Sequence, residues 1–287
     1  MRFSVAREYL PAQNARQDAL IGIVATVRGR DISRISCSFM EKANMVNRDA
    51  AGRVVIITGG AGAVGSTVSR RWLDAGASVL VVDHRQATID AWLAEVAPEK
   101  WNGRAATLAA DVATEDGAKG MVNEARRAFG EPHDTLIHLV GGFAAGAVED
   151  DDAQRTWDRM MTINVNSAFH CYRAMLPALR ARNGGWMVGL TSRAANNPGP
   201  RLAAYAASKA ALGALTSSLS AEVRDAGIHV NLIVASTIDT AANRKAMGED
   251  KAAGWVTPDD IADATMYLCS ERARSVHGAT LEIFANA

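Results

Sequence analysis

Ser192, Tyr205 and Lys209 stand in the pattern Ser-x12-Tyr-x3-Lys within SRAANNPGPRLAAYAASK. Four residues apart on a helix, the phenol and the ammonium share a face one turn from each other. A free phenol ionises near pH 10, too high for proton transfer at neutrality. A cation ~4 Å away, at an effective dielectric near ~20, is worth up to ~4 kcal/mol. That is enough to lower the phenol's value by as much as ~3 pH units. Each residue also has a plainer use: Ser192 as the cap of the turn after WMVGL, Tyr205 as an amphipathic core residue, Lys209 as a solvated helix cation. Taken jointly at these spacings, proton chemistry is the better account.

A second constellation lies upstream, in VVIITGGAGAVGSTVSRRWLDAGASVLVVD, residues 54–83. An apolar run ends at Thr58 and Gly59, and a loop follows through Gly60, Gly62, Val64 and Gly65 in the spacing GxGxxG. Glycine allows the tight turn and a close backbone approach to a pyrophosphate, and the N–H groups opening the next helix point at the phosphates. The next strand ends in Asp83, 24 residues after Gly59. A carboxylate there accepts hydrogen bonds from an adenosine ribose and repels a 2′-phosphate, so the reading is NAD in preference to NADP. His84 and Arg85 next to it leave NADP open. Asp111 and Val112, after ATLAA, stand where a third strand ends; they bracket the adenine or form an ordinary solvated strand end.

The elements that must carry these groups are legible as alternating runs. VVIIT, SVLVV, ATLAA, DTLIHLV, WMVGLTS, HVNLIVAS and ATLEIF read as short buried strands, with room for helices between them. The expected fold is α/β: a Rossmann-like, doubly wound parallel sheet of about seven strands, three layers thick, in one domain over 49–287. Trp157, Met161, Asn164, Ala168, Tyr172, Met175 and Leu179 recur as one helix face, as do Tyr205, Lys209, Leu212, Thr216, Leu219 and Val223. Asn164 stands out, because an amide within an apolar stripe is costly unless it is satisfied. Thr257-Pro-Asp-Asp260 reads as a helix start.

With 31 basic and 31 acidic residues in 287, no bulk field favours nucleic acid or an anionic membrane. Cys37, Cys171 and Cys269 are odd in number, far apart and free of any CxxC pair, so they read as reduced thiols, with neither disulfide nor metal site. The most apolar N-terminal stretch, ALIGIVATV, is too short to span a membrane and is followed by RGRDIS in place of a small-residue cleavage site. The expectation is a cytoplasmic protein with a poorly ordered extension over 1–48.

From about residue 50 onward the chain resembles the short-chain dehydrogenases/reductases, through TGGAGAVG, Asp83, Asn164 in TINVNSAF, Ser192 and YAASK. The resemblance implies that Tyr205 donates a proton in carbonyl reduction and accepts one in alcohol oxidation. It implies that Lys209 lowers the phenol's pKa and grips the nicotinamide ribose, that Ser192 binds the substrate oxygen, and that Asn164 anchors a water leading to Lys209. It also implies a homodimer or homotetramer packed through the Asn164 and Tyr205 helices. Gly141, Thr237 and Thr240 are further expected cofactor contacts, and Phe143, Arg193, Asn196 and Trp255 are candidates for the substrate pocket.

The sequence departs from that family at several points. Ala63 occupies the middle glycine of the single-domain branch's TGxxxGxG, so the loop satisfies the extended branch's TGxxGxxG. Only 78 residues follow Lys209, too few for that branch's substrate domain. His138-Leu139-Val140-Gly141 replaces Asn-Asn-Ala-Gly, and Ala235-Ser236 replaces Pro-Gly, which suggests a looser loop after the sixth strand. VGGF together with the 236–262 segment also resembles dihydropteridine reductases, which generally lack the serine present as Ser192. A non-catalytic dinucleotide sensor is the other alternative.

Overall fold

A computed structural model describes residues 50–130 and 133–285. The extension expected over 1–48, and Cys37 with it, lie outside the described residues. Strands β1 (Val54–Thr58), β2 (Ser78–Asp83), β3 (Ala105–Ala109), β4 (Thr135–His138), β5 (Gly185–Ser192), β6 (Ile228–Ala235) and β7 (Thr280–Ile283) form one sheet. Its order is β3-β2-β1-β4-β5-β6-β7, and every pairing is parallel. All seven strands coincide with the apolar runs read from the sequence. Eight α-helices lie among the described residues: α1 (Gly65–Asp74), α2 (Gln86–Val96), α3 (Glu115–Phe129), α4 (Ala153–Met161), α5 (Ser167–Ala181), α6 (Ala203–Val223), α7 (Ala241–Met247) and α8 (Pro258–Leu268).

Side chains alternate along each strand, so one strand feeds two cores. Val55 and Ile57 of β1 pack with Trp72 of α1, Trp92 of α2 and Ile261 of α8, whereas Ile56 packs with Met121 of α3, Tyr172 of α5 and Leu212 of α6. Helices therefore cover both faces of the central strands, which is why β1, β2 and β4 are almost wholly buried. The edge strands β3 and β7 are only partly covered, and Thr280 and Glu282 of β7 are exposed. The helix starts follow from local chemistry. Thr114 caps α3, with Glu115 and Asp116 at its positive end. Thr257 and Asp260 form a reciprocal capping box on α8, at the start read from the sequence.

One periodic reading needs correction. The stripe from Trp157 to Leu179 is not one continuous helical face, because residues Thr162–Asn166 form a π turn between α4 and α5. The wider turn shifts the register, so Met160 is buried while Trp157 is 43% exposed. Asn164 sits inside this turn and is fully buried. The stripe of α6 runs as expected, with Lys209, Leu212, Thr216, Leu219 and Val223 all buried.

At the opposite edge of the sheet from the strand C-termini, Arg53 fastens three elements. It ion-pairs with Asp134 at 3.2 Å and donates to Thr135 and to the Cys269 carbonyl. Its guanidinium carbon lies 4.1 Å from the Trp186 ring centroid. Arg53→Leu is expected to destabilise the fold by about 3 kcal/mol, since Asp134 stays buried with only the Thr135 hydroxyl at 2.6 Å and the longer Arg182 pair at 3.6 Å. Urea denaturation checks this, and an unchanged midpoint would show the cluster to be idle. No helix among the described residues is long and apolar enough to cross a membrane.

Candidate functional site

The strand order reverses between β1 and β4, and a cleft of about 770 Å³ opens beyond their C-terminal ends. Such a switch point is where doubly wound sheets take ligands. Gly59, Gly62, Val64 and Gly65 line the cleft, Asp83, Asp111 and Val112 border it at the β2 and β3 ends, and Gly141 borders it beyond β4. The loop needs its glycines. A Cβ on Gly65 would collide with the Gly59 carbonyl, and one on Gly60 would lie 2.7 Å from the Ile57 carbonyl. Gly60 therefore faces inward, bonded to the Val82 carbonyl at 3.1 Å, and is not among the lining residues. A Cβ on Gly62 would meet only the Gly59 carbonyl, so its far side is open to the cleft. The volume, the glycine backbone and the nearly buried Asp83 fit an elongated dinucleotide.

Tyr205, in the first turn of α6, is hydrogen-bonded to Ser192 at the end of β5. Ser192 also caps the short turn behind it, accepting from Ala194 N at 3.2 Å, so its plainer use is realised as well. Burial holds the Tyr205 phenol above its ordinary value, and the Ser192 hydrogen bond opposes that effect. The net direction is upward, opposite to the lowering expected from Lys209. Lys209 Nζ donates to the Leu190 carbonyl at 3.1 Å. Lys209 is itself buried, and burial pushes its pKa down to about 8.

Asn164 is satisfied in full, which answers its cost within the apolar stripe. Its Oδ1 accepts from Gly142 N at 2.8 Å, while its Nδ2 donates to Gly142 O at 3.1 Å and to Ser208 Oγ at 2.9 Å. Gly141 fits between this amide and the lysine. A Cβ there would lie 2.9 Å from Lys209 Nζ and 3.0 Å from Asn164 Oδ1. The chain after β4 is thus clamped beside the groups of α6.

His138 is the residue the sequence flagged only as a departure. Fully buried, it spans β1 and α5, with Nδ1 2.9 Å from Thr58 Oγ1 and Nε2 3.1 Å from Ser167 Oγ. Ser167 donates its own proton to the Ile163 carbonyl at 2.6 Å. Nε2–H is therefore the donor to Ser167, and Nδ1 accepts from Thr58. Burial, with the Lys209 charge adding to it, drives the imidazole pKa down to about 3, so it stays neutral. Thr58 thus serves this bridge and does not line the cleft.

Of the other expected residues, Asp111 borders the cleft and the rest divide between the Tyr205 ring, packing and the surface. Asp111 holds its own turn, with Oδ1 accepting from Ala113 N at 3.0 Å. Thr237 and Thr240 are not among the residues lining the cleft, and the Thr240 hydroxyl caps α7. The loop after β6 is anchored, not loose, at its start, since Ser236 bonds Ile283 O through its N–H and Phe284 O through its hydroxyl. Trp255 is buried in packing, while Arg193 and Asn196 are exposed, with Arg193 over the Phe284 ring. Phe143 lies edge-on against the Tyr205 ring, with centroids 5.0 Å apart.

Comparison with known proteins bears on the family and the fold. The family model described as short chain dehydrogenase matches residues 53–251. The 3β-hydroxysteroid dehydrogenase 1 of Eggerthella lenta is 30% identical over 244 residues, covering 81% of this chain and 92% of that protein. The structure of a 7α-hydroxysteroid dehydrogenase complexed with NADH and 7-oxo glycochenodeoxycholic acid superposes with a TM-score of 0.76 at 27% identity, over 83% of this chain and 95% of the other. A 3-ketoacyl-(acyl-carrier-protein) reductase from Brucella melitensis, complexed with NADH, gives 0.71 at 25% identity, over 82% and 98%. The family match and the shared parallel-sheet fold show that the chain belongs to the short-chain dehydrogenase/reductase family of oxidoreductases.

Proposed function

We propose that the protein interconverts a carbonyl and an alcohol with a nicotinamide dinucleotide, Tyr205 carrying the proton. The observation that supports this reading most is the Ser192–Tyr205 hydroxyl pair, placed one helical turn from a buried lysine that abuts Gly141 at the cleft. The glycine loop from Gly59 to Gly65 would hold the pyrophosphate, Asp83 the adenosine ribose and Lys209 the second ribose. When bound, the nicotinamide supplies or accepts the hydride at C4. Ser192 fixes the carbonyl oxygen, and Tyr205 delivers its proton to that oxygen as the carbon is reduced. A phenol held above its ordinary value is fully protonated at neutrality, which suits it to donate. Asn164 and His138 hold the surrounding chain in register.

Asp83 supports NAD as the preferred cofactor. Asp83→Ser is expected to raise the NADPH-to-NADH ratio of kcat/KM by roughly 10-fold or more, because a nearly buried carboxylate facing a 2′-phosphate is repulsive. An unchanged ratio would place the discrimination at Arg85 or elsewhere. Exposed Trp157 on α4 and Phe169 on α5 support assembly into a homodimer or homotetramer through these helices. The reading as a whole is tested by following NADH absorbance with ketones, quinones and a quinonoid dihydropterin. Net oxidation with ketones supports it. Turnover with the pterin alone supports the dihydropteridine alternative, and cofactor binding without turnover supports a sensor.

A further inference from the structure

We infer that the substrate carries an apolar, ring-sized group beside its carbonyl, and that Phe143 is the side chain that selects it. This rests on the reading above, in which the carbonyl oxygen sits at Ser192 and Tyr205. The segment from Leu139 to Val148 reads LVGGFAAGAV, ten residues without a charge or a polar side chain. Loops at the surface are ordinarily polar. Here Phe143 is 61% exposed and Val148 78% exposed.

Phe143 is also held in place. Asn164 binds both the N–H and the carbonyl of Gly142, the residue before it, and Ile163 and Met160 pack against that glycine. Farther along the loop, Gly146 N donates to Arg201 O at 2.8 Å, and Asp150 accepts from Ala147 N at 2.8 Å and from Arg201 at 3.2 Å. An aromatic ring fixed at its root and left uncovered is a preorganised apolar wall. It stands edge-on to Tyr205 at 5.0 Å between centroids, so a group bonded to the carbonyl carbon lies within its reach. A second copy of the chain seated on Phe143 would also cover Tyr205 and close the mouth, which argues for a small molecule as the occupant.

The test compares acetophenone, acetone and pyruvate as substrates of the NADH-loaded wild type, Phe143→Ala and Phe143→Leu. Saturation-transfer NMR of acetophenone and sedimentation of each variant accompany the kinetics. The wild type is expected to favour acetophenone over both others. Phe143→Ala is expected to lose roughly 10- to 50-fold in kcat/KM for acetophenone, chiefly through KM, while acetone changes by less than about threefold. Phe143→Leu should recover part of the loss. Equal losses on acetone and acetophenone, no loss at all, a wild-type preference for pyruvate, or a change of oligomeric state in place of selectivity would each overturn the inference. Acetophenone binding that weakens in Phe143→Ala without turnover by any form would uphold it while sinking the oxidoreductase reading. Absence of both binding and turnover would sink both.

Discussion

Tyr205→Phe is expected to lower kcat for ketone reduction by about 10³-fold, or about 4 kcal/mol, with little change in cofactor affinity. The substitution removes one oxygen atom. The ring keeps its edge contact with Phe143 and its half-buried place at the start of α6, so the fold and the mouth of the site stay as they are. What is lost is the hydroxyl bonded to Ser192 and, with it, the proton donor. Stopped-flow reduction and NADH fluorescence titration separate the two effects. A loss below tenfold would mean that Ser192 or solvent carries the proton.

Lys209→Met is expected to abolish most activity and, at the same time, to stabilise the protein. The lysine is 6% exposed, and burial pushes its pKa from 10.5 down to about 8. Between those values the unfolded chain holds a proton that the folded chain has released, so stability rises with pH across that window. Below about pH 8 the whole cost of burying the charge is present, about 3 kcal/mol at ~1.4 kcal/mol per pH unit. An apolar side chain of similar length removes that cost but loses the Leu190 hydrogen bond. Thermal unfolding at pH 7 should therefore shift upward by roughly 5–10 °C, and the gap between variant and wild type should narrow toward pH 10. A lower melting temperature for the variant would show the ammonium to be a net structural support, not a functional group carried at the fold's expense.

The parts of this molecule that were legible in sequence are those fixed by near neighbours. The central strands announce themselves because both faces of the sheet are covered there and leave an unbroken apolar run, while β7 at the edge shows instead the alternation of a half-covered strand. The glycine loop is legible because Gly65 and Gly60 face collisions with backbone atoms only a few residues away. The α8 start at Thr257 and the stripe of α6 are likewise local. The π turn at 162–166 was hidden because it changes the helical repeat that a periodic reading assumes constant.

Long-range placements were also out of reach. His138 acquires its role from Thr58, 80 residues back, and Ser167, 29 residues on. Spacing puts Lys209 one turn from Tyr205, but only the folded chain aims its ammonium at Leu190. The phenol is raised by burial with Ser192 opposing, a direction that depends on the folded surroundings and not on spacing. Thr240 has the right chemistry for a cofactor contact, yet its hydroxyl accepts from Asn243 N of its own helix.

The account centres on a phenol that keeps its proton until the carbonyl takes it, and the pH profile of ketone reduction tests this most directly. With wild type and saturating NADH, the limb assigned to Tyr205 should be flat through neutrality and fall only above the ordinary tyrosine value of about 10. The residual rate of Tyr205→Phe should lack that fall. A wild-type profile that drops with a midpoint near 7, and a variant that removes the drop, would show the phenol to be acidic and would contradict it.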